Sequence, residues 1–159
     1  MPGRFRANPQ RIESDINRLA DFGRAGPTAM TRLAYDANDN AAHAFMEGEM
    51  KALGLETFYD AFGNLHGRRE GRNRDALPVL TGSHLDGPPN GGIYDGAIGV
   101  LAGLEVVRLM NEAGLVTEAP FEVVAVRCEH LDRFGLSCLG SRAMGGKLKQ
   151  ADLDRLVDE

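Results

Sequence analysis

The chain has only two cysteines, Cys128 and Cys138, too few for a disulfide framework and in keeping with a reducing compartment. It also lacks any excess of positive charge. Its 18 basic and 23 acidic residues give a net charge of −5, which removes the electrostatic pull toward phosphate backbones and excludes nucleic acid as an expected partner. No apolar run approaches the ~18 residues of a membrane span. The first residues, MPGRFRANPQ, have no apolar core of the kind a secretion signal needs. A cytoplasmic protein without a membrane partner is the expectation. Internal repeats and low-complexity segments are also missing.

The chain does have enough length for a core. At 159 residues it is expected to form one domain over 1–159, and a domain near ~150 residues buries roughly 68–70% of its unfolded surface. Glycine is over-represented, with 20 residues, about 13% against a typical ~7%. The excess gathers in 82–103 and 135–146, where tight backbone geometry is implied.

Hydrophobic spacing predicts a helix over 8–24, with Ile12, Ile16, Leu19 and Ala20 inward, stopped by Gly23 and the GPT at 26–28. A second helix is expected from about Asn38 to Leu53, capped by Gly54. Residues 55–70 read as short extended pieces around a Gly63-Asn64 turn, and GRREGRNRD (67–75) as a solvated surface loop. LPVLTGSH (77–84) and PFEVVAVRC (120–128) read as buried strands on either side of a helix over 96–114. Strand, loop, helix and strand over about 50 residues describe a βαβ unit with parallel strands. The fold class is therefore α/β.

In an open α/β sheet, ligands bind beyond the carboxyl ends of the strands, and both predicted strand ends carry unusual side chains. The first delivers His84 and Asp86; the second delivers Cys128, Glu129 and His130. Asp95 follows the glycine-rich stretch GPPNGG and precedes the helix, near its positive N-terminal end. Neighbouring strands would bring His84, Asp95, Glu129 and His130 to one rim. Each residue also has an ordinary reading. A strand-end histidine is commonly a satisfied one, Asp beside Gly and Pro caps turns, and Cys128 suits a small buried hydrophobe. Spacing alone leaves both a polar turn and half of a metal site open.

The segment TGSHLDGPPNGGIYDGAIGVLAGLEVV resembles the core motif of the hydantoinase/carbamoylase family of metal-dependent amidases, in the wider M20 metallopeptidase-like group. This family includes N-carbamoyl-L-amino-acid hydrolases, allantoate amidohydrolases and β-ureidopropionases. TRLAYDANDNAA (31–42), DAFGNLHGRREG (60–71) and RFGLSCLGSRAMGG (133–146) agree with it, so the resemblance runs from about residue 10 to 157. It implies a three-layer α/β/α architecture with a mostly parallel, mixed sheet, of which this chain would be the N-terminal part.

Residue by residue, the resemblance implies His84 as a ligand to one divalent ion and Asp95 as a carboxylate bridging two. Asp86 becomes the acid that holds the second ring nitrogen of His84, and Glu129 the general base. His130 stands where the family has a second glutamate, so a neutral imidazole replaces a ligand carrying −1. His43 and His66 match no ligand position. Further family ligands, and the groups that grip substrate, would lie outside these 159 residues. The cation would be zinc, manganese, cobalt or nickel, in one or two copies.

Three functions follow as alternatives. The chain is part of an amidohydrolase acting on small N-carbamoyl or ureido compounds, inactive alone. Or it is a non-catalytic remnant that folds, self-associates and binds metal weakly or not at all. Or it is an α/β domain whose site no longer matters.

Overall fold

The computed structural model describes residues 5–158; residues 1–4 of the N-terminal stretch read above, and Glu159, lie outside the described residues. Helix α1 (Pro9–Ala20) begins where expected, because Asn8 caps it by accepting from the Arg11 amide. Strand β1 (Ala29–Arg32) follows, then α2 (Ala37–Ala52), capped by Asp36. Next come β2 (Glu56–Tyr59), β3 (Leu65–Arg69), β4 (Val79–His84) and β5 (Gly87–Gly92). Helix α3 (Ala97–Glu112), strand β6 (Phe121–Val126) and the short helices α4 (Leu139–Met144) and α5 (Gln150–Leu153) complete the order.

The main sheet is mixed and runs β2-β3-β6-β4. Strands β4 and β6 pair in parallel, with His84 opposite Val126, and α3 connects them. This is the βαβ unit expected from the sequence. The other two pairs, β2 with β3 and β3 with β6, are antiparallel, so parallel character is confined to one pair rather than dominating the sheet. The solvated loop expected at 67–75 also starts later, since Gly67, Arg68 and Arg69 belong to β3.

Side chains alternate across a strand, so Leu65, Val123 and Ala125 share one face. All three join a core with Ile16 and Leu19 of α1, Met46 and Met50 of α2, and Leu101, Leu104 and Val107 of α3. The three long helices therefore serve a single face. Buried charge ties α1 to α3, with Asp15 to Arg108 at 2.7 Å and Arg11 to Glu105 at 2.7 Å. On the opposite face, Phe58 and Leu80 are 45% and 46% exposed. The second helical layer implied by a three-layer architecture is not built over them by the described residues.

The glycine-rich stretch between Asp86 and Asp95 is not a loop. It forms β5, paired antiparallel with β1 in a separate two-stranded sheet, with Met30 opposite Gly91 and Arg32 opposite Gly87. A backbone ladder needs no particular side chains, and proline is tolerated on such edges, so GPPNGG gave no strand pattern to read. Among the described residues, no helix is long and apolar enough to cross a membrane.

Candidate metal centre

His84 is the last residue of β4 and is buried. Its Nδ1 lies 2.9 Å from the backbone carbonyl oxygen of Asp86. An Nδ1–H that donates there leaves the Nε2 lone pair facing outward. The carboxylate of Asp86 stands farther off, 3.7 Å from the same nitrogen. The family resemblance implied that this carboxylate holds the ring; in the structure the hydrogen-bonded partner of Nδ1 is the backbone carbonyl of the same residue.

The Asp86 carboxylate is turned to the other strand end instead. Its Oδ1 accepts from the Glu129 amide at 3.2 Å, and its Oδ2 from the His130 amide at 3.0 Å. Asp86 is almost fully buried. Burial pushes its carboxyl above the ordinary value, and the amides of His130 and Glu129 pull the other way without overcoming that push. One buried acid thus ties the end of β4 to the turn beyond β6.

Asp95 follows β5 and sits just ahead of α3, whose cap is Gly96 at φ +63°. A side chain at Gly96 would put its Cβ 2.5 Å from the His84 ring, so only glycine lets the strand end and helix start close together. The two Asp95 oxygens divide between the histidines. Oδ1 is 4.0 Å from His84 Nε2, and Oδ2 is 3.0 Å from His130 Nε2. The two imidazoles stand edge to face, with centroids 5.1 Å apart. Glu129 Oε2 lies 3.7 Å from His84 Nε2 and 3.6 Å from His130 Nε2.

His84, Asp95 and His130 each offer one ligand atom, and those atoms lie within 4.8 Å of one another. Zinc bonds of ~2.0–2.2 Å in tetrahedral geometry place ligand atoms roughly 3.3–3.5 Å apart, within the range these atoms span. Two imidazole nitrogens and a carboxylate are a donor set that suits zinc, manganese, cobalt or nickel, so the residues fit a divalent cation. The four residues assigned to one rim do converge there. His43 and His66 do not join them: His43 Nδ1 faces the Asp39 carbonyl at 2.9 Å, and His66 Nδ1 faces Glu122 at 2.6 Å.

Cys138 was missed by sequence reasoning. Its Sγ lies 3.4 Å from Glu129 Oε1, and its amide donates to the Glu129 carbonyl at 2.8 Å. Its one trace in the sequence was the glycine cluster around it, which marked tight backbone without marking a contact. Cys128 behaves as the small buried hydrophobe expected, with its thiol pushed up to about 12 by burial first and by the charge of Asp86 next.

Known proteins are similar to this chain in sequence and in fold. The model of peptidase family M28 matches residues 64–157. An N-carbamoyl-L-amino acid amidohydrolase of Geobacillus stearothermophilus is 45% identical over 91% of the chain, which covers 36% of that relative. An allantoate amidohydrolase of Bacillus subtilis is 35% identical over 93% of the chain, covering 36% of its own length. The crystal structure of a hydantoinase/carbamoylase family amidase from Burkholderia ambifaria superposes with a TM-score of 0.92 at 38% identity, over 97% of this chain and 38% of that one. The chain thus spans little more than a third of the length of the relatives it matches. The family model covers more than half of the residues, so the chain belongs to peptidase family M28, and over nearly its whole length it is similar to the first part of hydantoinase/carbamoylase family amidases.

Proposed function

We propose that the chain forms the metal-binding part of an M20-like active site that hydrolyses a linear amide C–N bond in an N-carbamoyl amino acid or ureido compound. One observation carries the reading: Glu129 Oε2 lies within 3.7 Å of two imidazoles that also flank Asp95. The names of the Geobacillus and Bacillus relatives point to the same substrate class.

His84 and His130 would hold a divalent cation through Nε2, and Asp95 through its two oxygens. When bound, such a cation supplies Lewis acidity toward a carbonyl and lowers the pKa of water toward ~7. Glu129 Oε2 takes the proton from the attacking water and passes it to the leaving amine. Asp86 fixes where that carboxylate starts, since it grips the backbone of the residue that carries it. His130 in place of an acid leaves the centre with one fewer negative charge. A first cation is therefore favoured over a second, which would need donors from elsewhere.

The remainder of a relative-length protein would supply the groups that grip substrate. The chain alone is accordingly expected to bind metal and turn over poorly, in a reducing, cytoplasmic setting that suits two free cysteines. The test is hydrolysis of N-carbamoyl amino acids by the purified chain with added zinc, manganese or cobalt, beside metal content after dialysis. Stoichiometric metal lost on His84→Ala supports the reading. Absence of bound metal would sink it and favour the second reading, a self-associating remnant, which the exposed apolar residues Phe58, Val79 and Leu80 favour.

A further inference from the structure

The sequence reading gave Asp39 and Arg127 no role, yet they form a buried ion pair across 88 residues of chain. Asp39 is completely buried in the first turn of α2. Its Oδ2 receives Arg127 Nη1 and, at 2.8 Å, the Tyr35 amide. Its Oδ1 lies 3.1 Å from His43 Nδ1. A charge pair removed from water needs other hydrogen bonds to offset its desolvation; here Oδ2 has the Tyr35 amide, while Oδ1 has the nearby His43 ring but no hydrogen bond of its own.

Arg127 is held at several points. Its Nε donates to the Gly63 carbonyl at 3.1 Å, and its guanidinium lies 5.3 Å from the centroid of the Tyr35 ring. Its amide donates to Asn64 Oδ1 at 2.8 Å, and its carbonyl accepts from the Gly140 amide at 3.0 Å. Arg127 is the first residue after β6. The next residue, Cys128, adopts φ +55°, a conformation that side chains other than glycine rarely take without support. Glu129 and His130 follow directly.

We propose that Asp39, acting through Arg127, is a positioning residue for the candidate metal centre: the pair anchors the chain just before the left-handed turn at Cys128, and so sets where Glu129 and His130 project. Neither residue touches the ligand atoms. Strand β6 has ended, and beyond it the carbonyls of Arg127, Cys128 and Glu129 accept from the Gly140, Leu139 and Cys138 amides. The side-chain anchors added to these backbone bonds are Asp39 and Asn64 before the turn and the Asp86 carboxylate after it. A guanidinium can fork between Asp39 and Gly63 while stacking on Tyr35; an ammonium has the charge without the fork or the plane. The inference rests on His130 being a ligand, and its test separates the two ideas.

Arg127→Lys is the informative variant, because it keeps the charge opposite Asp39. Two readouts are taken on the metal-free and cobalt-titrated chain: the nuclear Overhauser contact between the His84 and His130 rings, and the cobalt affinity with its visible spectrum. We expect a folded variant by circular dichroism that loses the ring-to-ring contact and binds cobalt roughly 10–100-fold more weakly, the range typical of groups one step removed from a metal. Adding Asp39→Glu, which restores reach from the other side, is expected to recover part of both; this double variant also serves if Arg127→Lys alone fails to fold. A folded Arg127→Lys chain that keeps the ring contact and the wild-type cobalt affinity overturns the proposal. If the wild-type chain shows the ring contact but binds no cobalt, the metal reading fails, while the ring contact in the variant still decides the positioning role.

Discussion

His84 arrives at the centre as the last rung of a parallel ladder, opposite Val126, with its ring held by a backbone carbonyl two residues on. His130 arrives after the β4–β6 ladder has stopped, past Arg127, Cys128 and Glu129, in a turn held by backbone bonds from 138–140 and by side chains from α2, the Gly63-Asn64 turn and Asp86. The two imidazoles end 5.1 Å apart by these different routes. A ligand on a strand is placed by backbone hydrogen bonds that most substitutions leave intact. A ligand on such a turn relies in addition on a few named side chains, each of which a single substitution can remove.

The largest effect is expected from removing the ladder-held ligand itself. His84→Ala should abolish retention of metal through dialysis, beyond the ~10–100-fold that outer partners cost; metal analysis of the dialysed variant checks this. Asp86→Asn comes next, because an amide offers one acceptor oxygen where the carboxylate accepts from two backbone amides. It should weaken metal binding roughly tenfold or more and cost about 1–3 kcal/mol of stability, read by cobalt titration and urea unfolding. The turn itself can be pushed with Gly140→Ala, whose Cβ would meet Asn64 Oδ1 at a separation no real contact shows and crowd the Arg127 backbone. A loss of about 1–3 kcal/mol is expected, with the His130 side of the centre displaced and the His84–Asp86 hydrogen bond retained in the NMR spectrum.

A smaller effect is expected from pH. Burial pushes the Asp39 carboxyl up, but hydrogen bonding and charge from His43, the charge of Arg127 and the Tyr35 amide outweigh it and hold it below the usual carboxylate range. A depressed folded-state value means the contribution is present above the unfolded value near ~3.9 and lost as pH falls toward the folded one. Asp39→Asn should therefore be less stable at neutral pH and show a flatter stability profile in acid; unfolding midpoints between pH 7 and 3 test this. The smallest expected change is Cys138→Ala, which removes a weak thiol donor from Glu129 Oε1. About a twofold change in cobalt affinity is expected, corresponding to the ~0.5 kcal/mol low end for a hydrogen bond, and a tenfold change would show that the thiol does more than hydrogen-bond.

Much of the frame was legible because it rests on local patterns. The spacing of Ile12, Ile16 and Leu19 places α1, the apolar run ending at His84 places β4, and the β-branched run 121–126 places β6. The illegible parts have physical reasons. β5 has no side-chain pattern because GPPNGG contributes only backbone to its ladder with β1. The antiparallel pairing of β3 with β6 is a choice of partner that neither strand encodes alone. The Asp39–Arg127 pair depends on two segments distant in sequence and was invisible as a motif.

Sequence by itself determined the α/β class, the βαβ unit and the set of metal-competent side chains at two strand ends, because hydrophobic periodicity and strand termini are written locally. Tertiary structure decided which atoms do the holding. Only the packed chain shows that Asp86 grips the Glu129 and His130 amides while its carbonyl meets the His84 ring, since hydrogen bonds between distant segments exist only once the fold has brought their donors and acceptors within reach.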